Sequence, residues 1–103
     1  MSAGYTYMWE YVVAPEQTSA FEQVYGPSGD WVRLFRRAKG YLRTELHRDR
    51  EQPHRFITID YWETKADWEA FRAGYAREFE ILDAACAALT TRETEVGRFQ
   101  LVE

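Results

Sequence analysis

Two histidines and one cysteine are the side chains of this 103-residue chain suited to acid–base or nucleophilic work near neutral pH. His47 lies in "YLRTELHR", where alternation puts Arg43, Glu45 and His47 on one face of a strand. Asp60, on the following strand, is expected on that face, where it would orient the imidazole. An oriented imidazole can take a proton, and Arg43 can steady the charge that develops. The same groups also suit an ion-pair network holding two sheets in register. His54 follows Pro53 and reads as a turn residue. Cys86 falls on an apolar helical stripe and reads as a buried structural thiol. No Ser/His/Asp set, phosphate loop or Cys/His cluster at zinc spacing appears, so no metal is expected.

The second chemical resource is aromatic. Four Trp, seven Tyr and six Phe make 17% of the chain. Tyr7, Trp9, Tyr11 and Tyr61 read as one set on the helix-facing side of a sheet, with Trp31 and Trp68 closing over it. Such rings can stack on a planar ligand, and they can equally fill a core. Net charge is −4, and "RLFRR" is a local basic run on a helix, so a nucleic-acid surface is not expected. With one cysteine there is no internal disulfide. No basic leader with an apolar run is seen, and no stretch nears the ~18 apolar residues of a membrane helix. The expectation is a cytoplasmic protein without membrane contact, folded as one domain over residues 1–103.

The elements that must position these residues are legible as periods. "YTYMWEYVV" (5–13) alternates as an aromatic strand. Pro15 opens a helix with Phe21, Val24 and Tyr25 on its apolar side, and Gly26-Pro27 stops it. Ser28 is expected to cap a restart carrying Trp31, Leu34, Phe35 and Ala38 at helical spacing, closed by Gly40. "YLRTELHR" (41–48) and "RFITIDYWE" (55–63) read as a hairpin. In the first strand Leu42, Thr44 and Leu46 oppose Tyr41, Arg43, Glu45 and His47. In the second, Ile57, Ile59 and Tyr61 are expected to face the helices.

Thr64 and Asp67 then cap a long helix through Leu89, with Gly74 inside it. "TEVGRFQLVE" (94–103) closes the chain as a strand. The order β, broken α, β, β, α, β is the ferredoxin-like split βαβ plan, an α+β fold with helices on one face of an antiparallel sheet. The other face mixes Glu10, Arg43, Glu45, His47, Asp60 and Arg98 with Met8, Val12, Tyr41, Phe56 and Trp62. That face is too apolar to be merely solvated, so a homodimer with two sheets face to face is expected.

"YGPSGDWVRLFRRAKGYLRTELHRD", "RFITIDYWET" and "LDAACAALTTRETEVGRF" resemble the antibiotic biosynthesis monooxygenase superfamily, of the dimeric α+β barrel fold. The resemblance implies a homodimer with a pocket between sheet and helices in each subunit. It further implies a cofactor-independent monooxygenase acting on a small quinol- or anthrone-like aromatic. Trp62 matches the tryptophan that ends the third strand in that family. Thr58 stands where an amide is expected, and the chain contains no Asn. The long helix holds no His, so haem degradation loses two of its three parts. On the oxygenase expectation His47 and Trp62 are catalytic, and Tyr7, Trp9, Trp31, Tyr61, Trp68 and Arg43 contact the substrate. A non-catalytic ligand-binding module and a purely structural dimer are the alternatives.

Overall fold

The computed structural model describes residues 4–102. In chain order it contains β1 (Tyr5–Val13), α1 (Thr18–Tyr25), α2 (Asp30–Phe35), β2 (Tyr41–Arg48), β3 (Arg55–Trp62), α3 (Lys65–Gly74), α4 (Ala76–Cys86) and β4 (Thr90–Gln100). The strands form one antiparallel sheet in the order β2-β3-β1-β4. This is the α+β ferredoxin-like plan with a broken first helix. The closing strand starts at Thr90, earlier than expected. Residues 1–3 and 103, included in the expected domain and closing strand, lie outside the described residues.

The break between α1 and α2 depends on close backbone approach. The Gly26 N–H donates to the Glu22 carbonyl at 2.9 Å, closing α1. A Cβ on Gly29 would run into the carbonyl oxygens of Gln23 and Val24, so glycine is what lets α2 restart so near α1. Gly29, not Ser28, is the N-cap, and it makes no side-chain cap bond. Ser28 sits one residue too early and serves through its carbonyl, which accepts from Arg33 Nη1 at 2.7 Å. Trp31 and Phe35 nonetheless face the sheet from α2, both 7% exposed.

The Thr64 hydroxyl caps α3 by accepting the Asp67 N–H at 3.0 Å. Gly40, at φ +87°, packs its α-carbon against that Asp67 side chain, where a Cβ would collide. The long helix divides after Gly74, because Tyr75 leaves helical geometry at φ −119°.

Register decides which side chains face the helices. Tyr5, Tyr7, Trp9 and Tyr11 of β1 oppose Trp62, Asp60, Thr58 and Phe56 of β3, and opposed residues share a face. Phe56, Thr58, Asp60 and Trp62 are therefore on the helix side. Tyr61, with Ile57 and Ile59, is on the outer face, contrary to expectation. Both parities of β3 are apolar, so hydropathy alone does not orient it. A bulge between Tyr41 and Arg43 turns Tyr41 inward opposite Trp62 and leaves Leu42 52% exposed. Arg43, Glu45 and His47 remain on the outer face, as the alternation predicted.

The core lies between sheet and helices. Phe21, Phe56, Trp62 and Phe71 are at most 1% exposed. Phe21 stacks on Tyr25 with ring centroids 4.3 Å apart. Trp62 is wedged against Phe35, Tyr41 and Phe71.

Candidate active site

A cavity of about 290 Å³ lies between the sheet and the helices. Its floor is a row across all four strands. Thr44 opposes Asp60, Asp60 opposes Tyr7, and Tyr7 opposes Arg98, and all four line the cavity. Trp9, Thr58, Tyr11 and Glu93 continue the floor. The broken helix supplies Tyr25, Trp31 and Phe35 to the roof. Trp68 and Arg72 come from α3, and Phe79 and Asp83 from α4. Thr44, Thr58 and Asp60 are buried, whereas Asp83, Glu93 and Arg98 are exposed. The cavity is thus closed beneath α2 and opens beside β4 and α4.

Asp60 is the chemically loaded residue at the closed end. Its Oδ1 accepts a hydrogen bond from the Thr44 hydroxyl at 2.6 Å. With that proton committed, Thr44 Oγ1 accepts from the Tyr41 hydroxyl at 2.8 Å. Burial among apolar groups pushes the Asp60 carboxyl up to about 7, with the Thr44 bond pulling the other way. The Tyr11 hydroxyl and Thr58 Oγ1 pair at 3.1 Å. Burial drives the Tyr11 and Tyr25 phenols upward, so both stay protonated.

The open end is built differently. The Tyr7 hydroxyl donates to Glu95 at 2.9 Å and accepts from Arg98 Nη2 at 3.2 Å. The Arg98 guanidinium lies 4.7 Å from the Tyr7 ring centre and 4.8 Å from that of Trp68. Arg72 stacks 3.8 Å from the ring centre of Phe79. Glu93 is exposed along part of its side chain, and partial desolvation where it meets the cavity raises its carboxyl above the ordinary value.

Of the residues singled out from sequence, Tyr7, Trp9, Trp31 and Trp68 line this cavity. Trp62 lies in the core and is not on the cavity wall. His47, Arg43 and Tyr61 gather on the opposite face of the sheet. There His47 Nε2 lies 3.1 Å from Glu45 Oε1, Arg43 donates to Glu45 Oε2 at 3.2 Å, and the Tyr61 hydroxyl donates to Glu45 at 3.4 Å. Asp60 does not orient His47, because the sheet separates them. Arg98, expected outside, faces the cavity opposite Tyr7. Asp60, expected on the outer face, lies in the cavity opposite its hairpin partner Thr44, which the alternation puts on the helix side. Arg72 carried a weaker signal, four residues after Trp68 on the same helix face.

Among the described residues no group of three or more His, Cys, Asp or Glu side chains gathers to hold a metal. Among them, too, no helix is long and apolar enough to cross a membrane.

Fold and sequence together place the chain in a known family. Residues 5–78 match the antibiotic biosynthesis monooxygenase family, and the chain belongs to that family. No curated protein matches it. Among solved structures, SnoaB, a cofactor-independent oxygenase from Streptomyces nogalater, is 23% identical. Its TM-score is 0.70, over 99% of this chain and 96% of that one. PA3566 from Pseudomonas aeruginosa is 24% identical at a TM-score of 0.67, over 100% and 96%. A Bordetella bronchiseptica protein, named as a candidate antibiotic biosynthesis monooxygenase, is 21% identical at 0.75, over 98% and 99%. These likenesses are of fold.

Proposed function

We propose that the chain is a cofactor-independent monooxygenase acting on a small quinol- or anthrone-like aromatic, with Asp60 as its general base. The observation that carries this reading is a buried carboxyl at the closed, aromatic end of the cavity, bonded to Thr44 and lifted by burial toward neutrality. The family and the likeness to SnoaB support it.

Without a cofactor the substrate itself must supply the electrons. A ring CH2 flanked by aromatic rings and activated by a carbonyl gives a proton to Asp60. The resulting enolate reduces O2 and takes it up at that carbon as a peroxide, which Asp60 reprotonates. Loss of the second C–H proton with O–O cleavage leaves a C=O and releases water. The sum is CH2 + O2 → C=O + H2O, so substrate and O2 balance with no outside reductant. Catalysis of this kind rewards a base titrating near the working pH. Tyr7, Trp9, Trp31 and Trp68 form the slot for the ring system. Trp62 backs Phe35 from the core and positions the roof.

The outer face, with Arg43, Glu45, His47, Tyr61, Ile57 and Ile59, is in this reading where a second copy pairs. His47 then serves pairing, and the base is on the other side of the sheet.

Oxygen uptake by chelator-treated protein, offered a panel of anthrones and hydroquinones, tests the reading. Uptake is expected, and Asp60→Asn is expected to lower it about 100-fold or more. No uptake across the panel, or an Asp60→Asn variant that keeps pace with the parent, overturns it.

A further inference from the structure

Tyr41 reaches the inner face of the sheet against the period of its strand. It stands three residues before Thr44 in β2, and in a regular strand residues at that spacing point to opposite faces. The bulge between Tyr41 and Arg43 reverses the parity, turning Tyr41 in and leaving Leu42 exposed. The bulge thus interrupts the pairing of an edge strand and aims one phenol inward. The ring is fixed between Phe35 of α2 and Trp62 of β3, at centroid distances of 5.5 and 5.4 Å. Its hydroxyl meets Thr44 Oγ1 at 2.8 Å, and Thr44 meets Asp60 Oδ1 at 2.6 Å. Thr44 and Asp60 line the cavity, and Tyr41 stands behind them, off its wall.

A threonine hydroxyl has one proton to give. If Tyr41 accepted it, the Asp60 carboxylate would lose its donor. If Tyr41 donates, Thr44 keeps its proton for Asp60, and each bond polarises the next. A carboxylate is the strongest acceptor of the three groups, so the chain runs inward while Asp60 is ionised.

We propose that Tyr41 is a positioning residue for Asp60: donating to Thr44 from behind the cavity wall, it keeps the Thr44 proton turned onto the carboxylate. This rests on Asp60 being the base, as proposed above, and adds a residue that lies off the substrate's path. Other ionisable groups face the same cavity: Tyr7 and Tyr11 from β1, Tyr25 from α1, Arg72 from α3, Asp83 from α4, and Glu93 and Arg98 from β4. Arg36, exposed just after α2, is the cation that acts on the Tyr41 hydroxyl. Among the described residues Thr44 alone bonds the Asp60 carboxyl, so the chain through Tyr41 is its direct line of control.

Titration of the Asp60 carboxyl by carbon-13 NMR, in the parent and in variants, tests the proposal without turnover. Thr44→Val is expected to raise the midpoint by about one pH unit. Tyr41→Phe keeps the ring and removes the hydroxyl, and it is expected to raise the midpoint by about half a pH unit. The two shifts should not add. With no hydroxyl at position 44, Tyr41 has nothing to act through, so the double variant should titrate where Thr44→Val does. A structural disturbance at Tyr41 would not vanish on that background. Tyr41→Phe titrating with the parent overturns the inference. So does a Tyr41→Phe shift that persists in full on the Thr44→Val background. Oxygen uptake together with an unmoved midpoint in Tyr41→Phe defeats this inference and leaves the oxygenase reading standing. Non-additive shifts without uptake defeat that reading and leave the coupling of Tyr41 to Asp60 standing.

Discussion

Asp60 and Tyr61 are neighbours in one strand, yet they belong to two different electrostatic regimes. On the outer face each carboxylate has cationic company. Glu45 is held below the usual carboxylate range by His47 and then by Arg43. Asp49, in the turn below, is held low by the backbone N–H of Glu51 and by Arg55. Glu10 pairs with Arg55. On the inner face Asp60 meets a threonine hydroxyl and a wall of rings, and burial lifts it to about 7. The sheet thus divides groups that stay ionised through their partners from one that exchanges its proton near neutral pH. Paired charge sits on the outer face and at the cavity's open rim, and the group fit for proton transfer sits at the closed end inside.

The comparison breaks most visibly through packing. Trp62→Ala empties a site that is 1% exposed, and an expected cost of about 3–5 kcal/mol should appear in urea unfolding. Leu42→Ala, at a residue 52% exposed, should cost about 0.5 kcal/mol or less. An equal cost at Leu42 would mean that the pairing proposed for the outer face reaches the bulge at the β2 edge and covers Leu42 in solution.

The next effect is a pH dependence with opposite signs on the two faces. The Asp60 pKa rises from about 3.9 in an unfolded chain to about 7 in the folded one. Between those values the folded state binds more protons, so stability falls as pH rises from about 4 to about 7. The contribution is roughly 4 kcal/mol at most. Asp60→Asn should flatten that slope and leave the variant the more stable protein above pH 7. Glu45 and Asp49 act in the other sense. Their folded pKa values are depressed, so their contribution is present at neutral pH and is lost as pH falls through those values. Unfolding midpoints of parent and variant across this range measure both limbs. An identical slope in Asp60→Asn would show that Asp60 is not the group titrating there.

The sequence makes the frame legible because its signals are local. Alternation in β1, the Gly26-Pro27 stop, and the Thr64 cap each act within a few residues and appear where expected. The inner aromatic set Tyr7, Trp9, Trp31 and Trp68 follows from that frame. The site's acid did not, for a long-range reason. In "RFITIDYW" the residues of both parities are apolar enough to be buried, and the isoleucines pull the reading toward the wrong face. What orients β3 is its register against β1 and β2, which places Asp60 between Tyr7 and Thr44. Arg98 was missed for a similar reason. Two bulges in the β1–β4 pairing shift the register of an edge strand whose own pattern is mostly polar, with Val96 and Phe99 its large apolar residues.

The smallest effect is the most specific to the inner face. Thr44 touches Asp60 through one hydroxyl, and that bond favours the ionised carboxyl. Thr44→Val keeps the shape and removes the donor. A hydrogen bond to a charged group contributes about 1.5–3 kcal/mol, and roughly 1.4 kcal/mol corresponds to one pH unit. The acid limb of the pH–rate profile should therefore move up by about one unit in Thr44→Val, with the plateau rate changed far less than in Asp60→Asn. Thr44→Ser, which restores a hydroxyl, should bring the limb back. A merely structural threonine would lower the rate at every pH and leave the limb in place. On the outer face Glu45→Gln removes a carboxylate shared by Arg43, His47 and Tyr61 and should leave the limb unmoved. If Glu45→Gln moved it and Thr44→Val did not, the base would be His47, and the proton transfer assigned to the cavity would belong to the other side of the sheet.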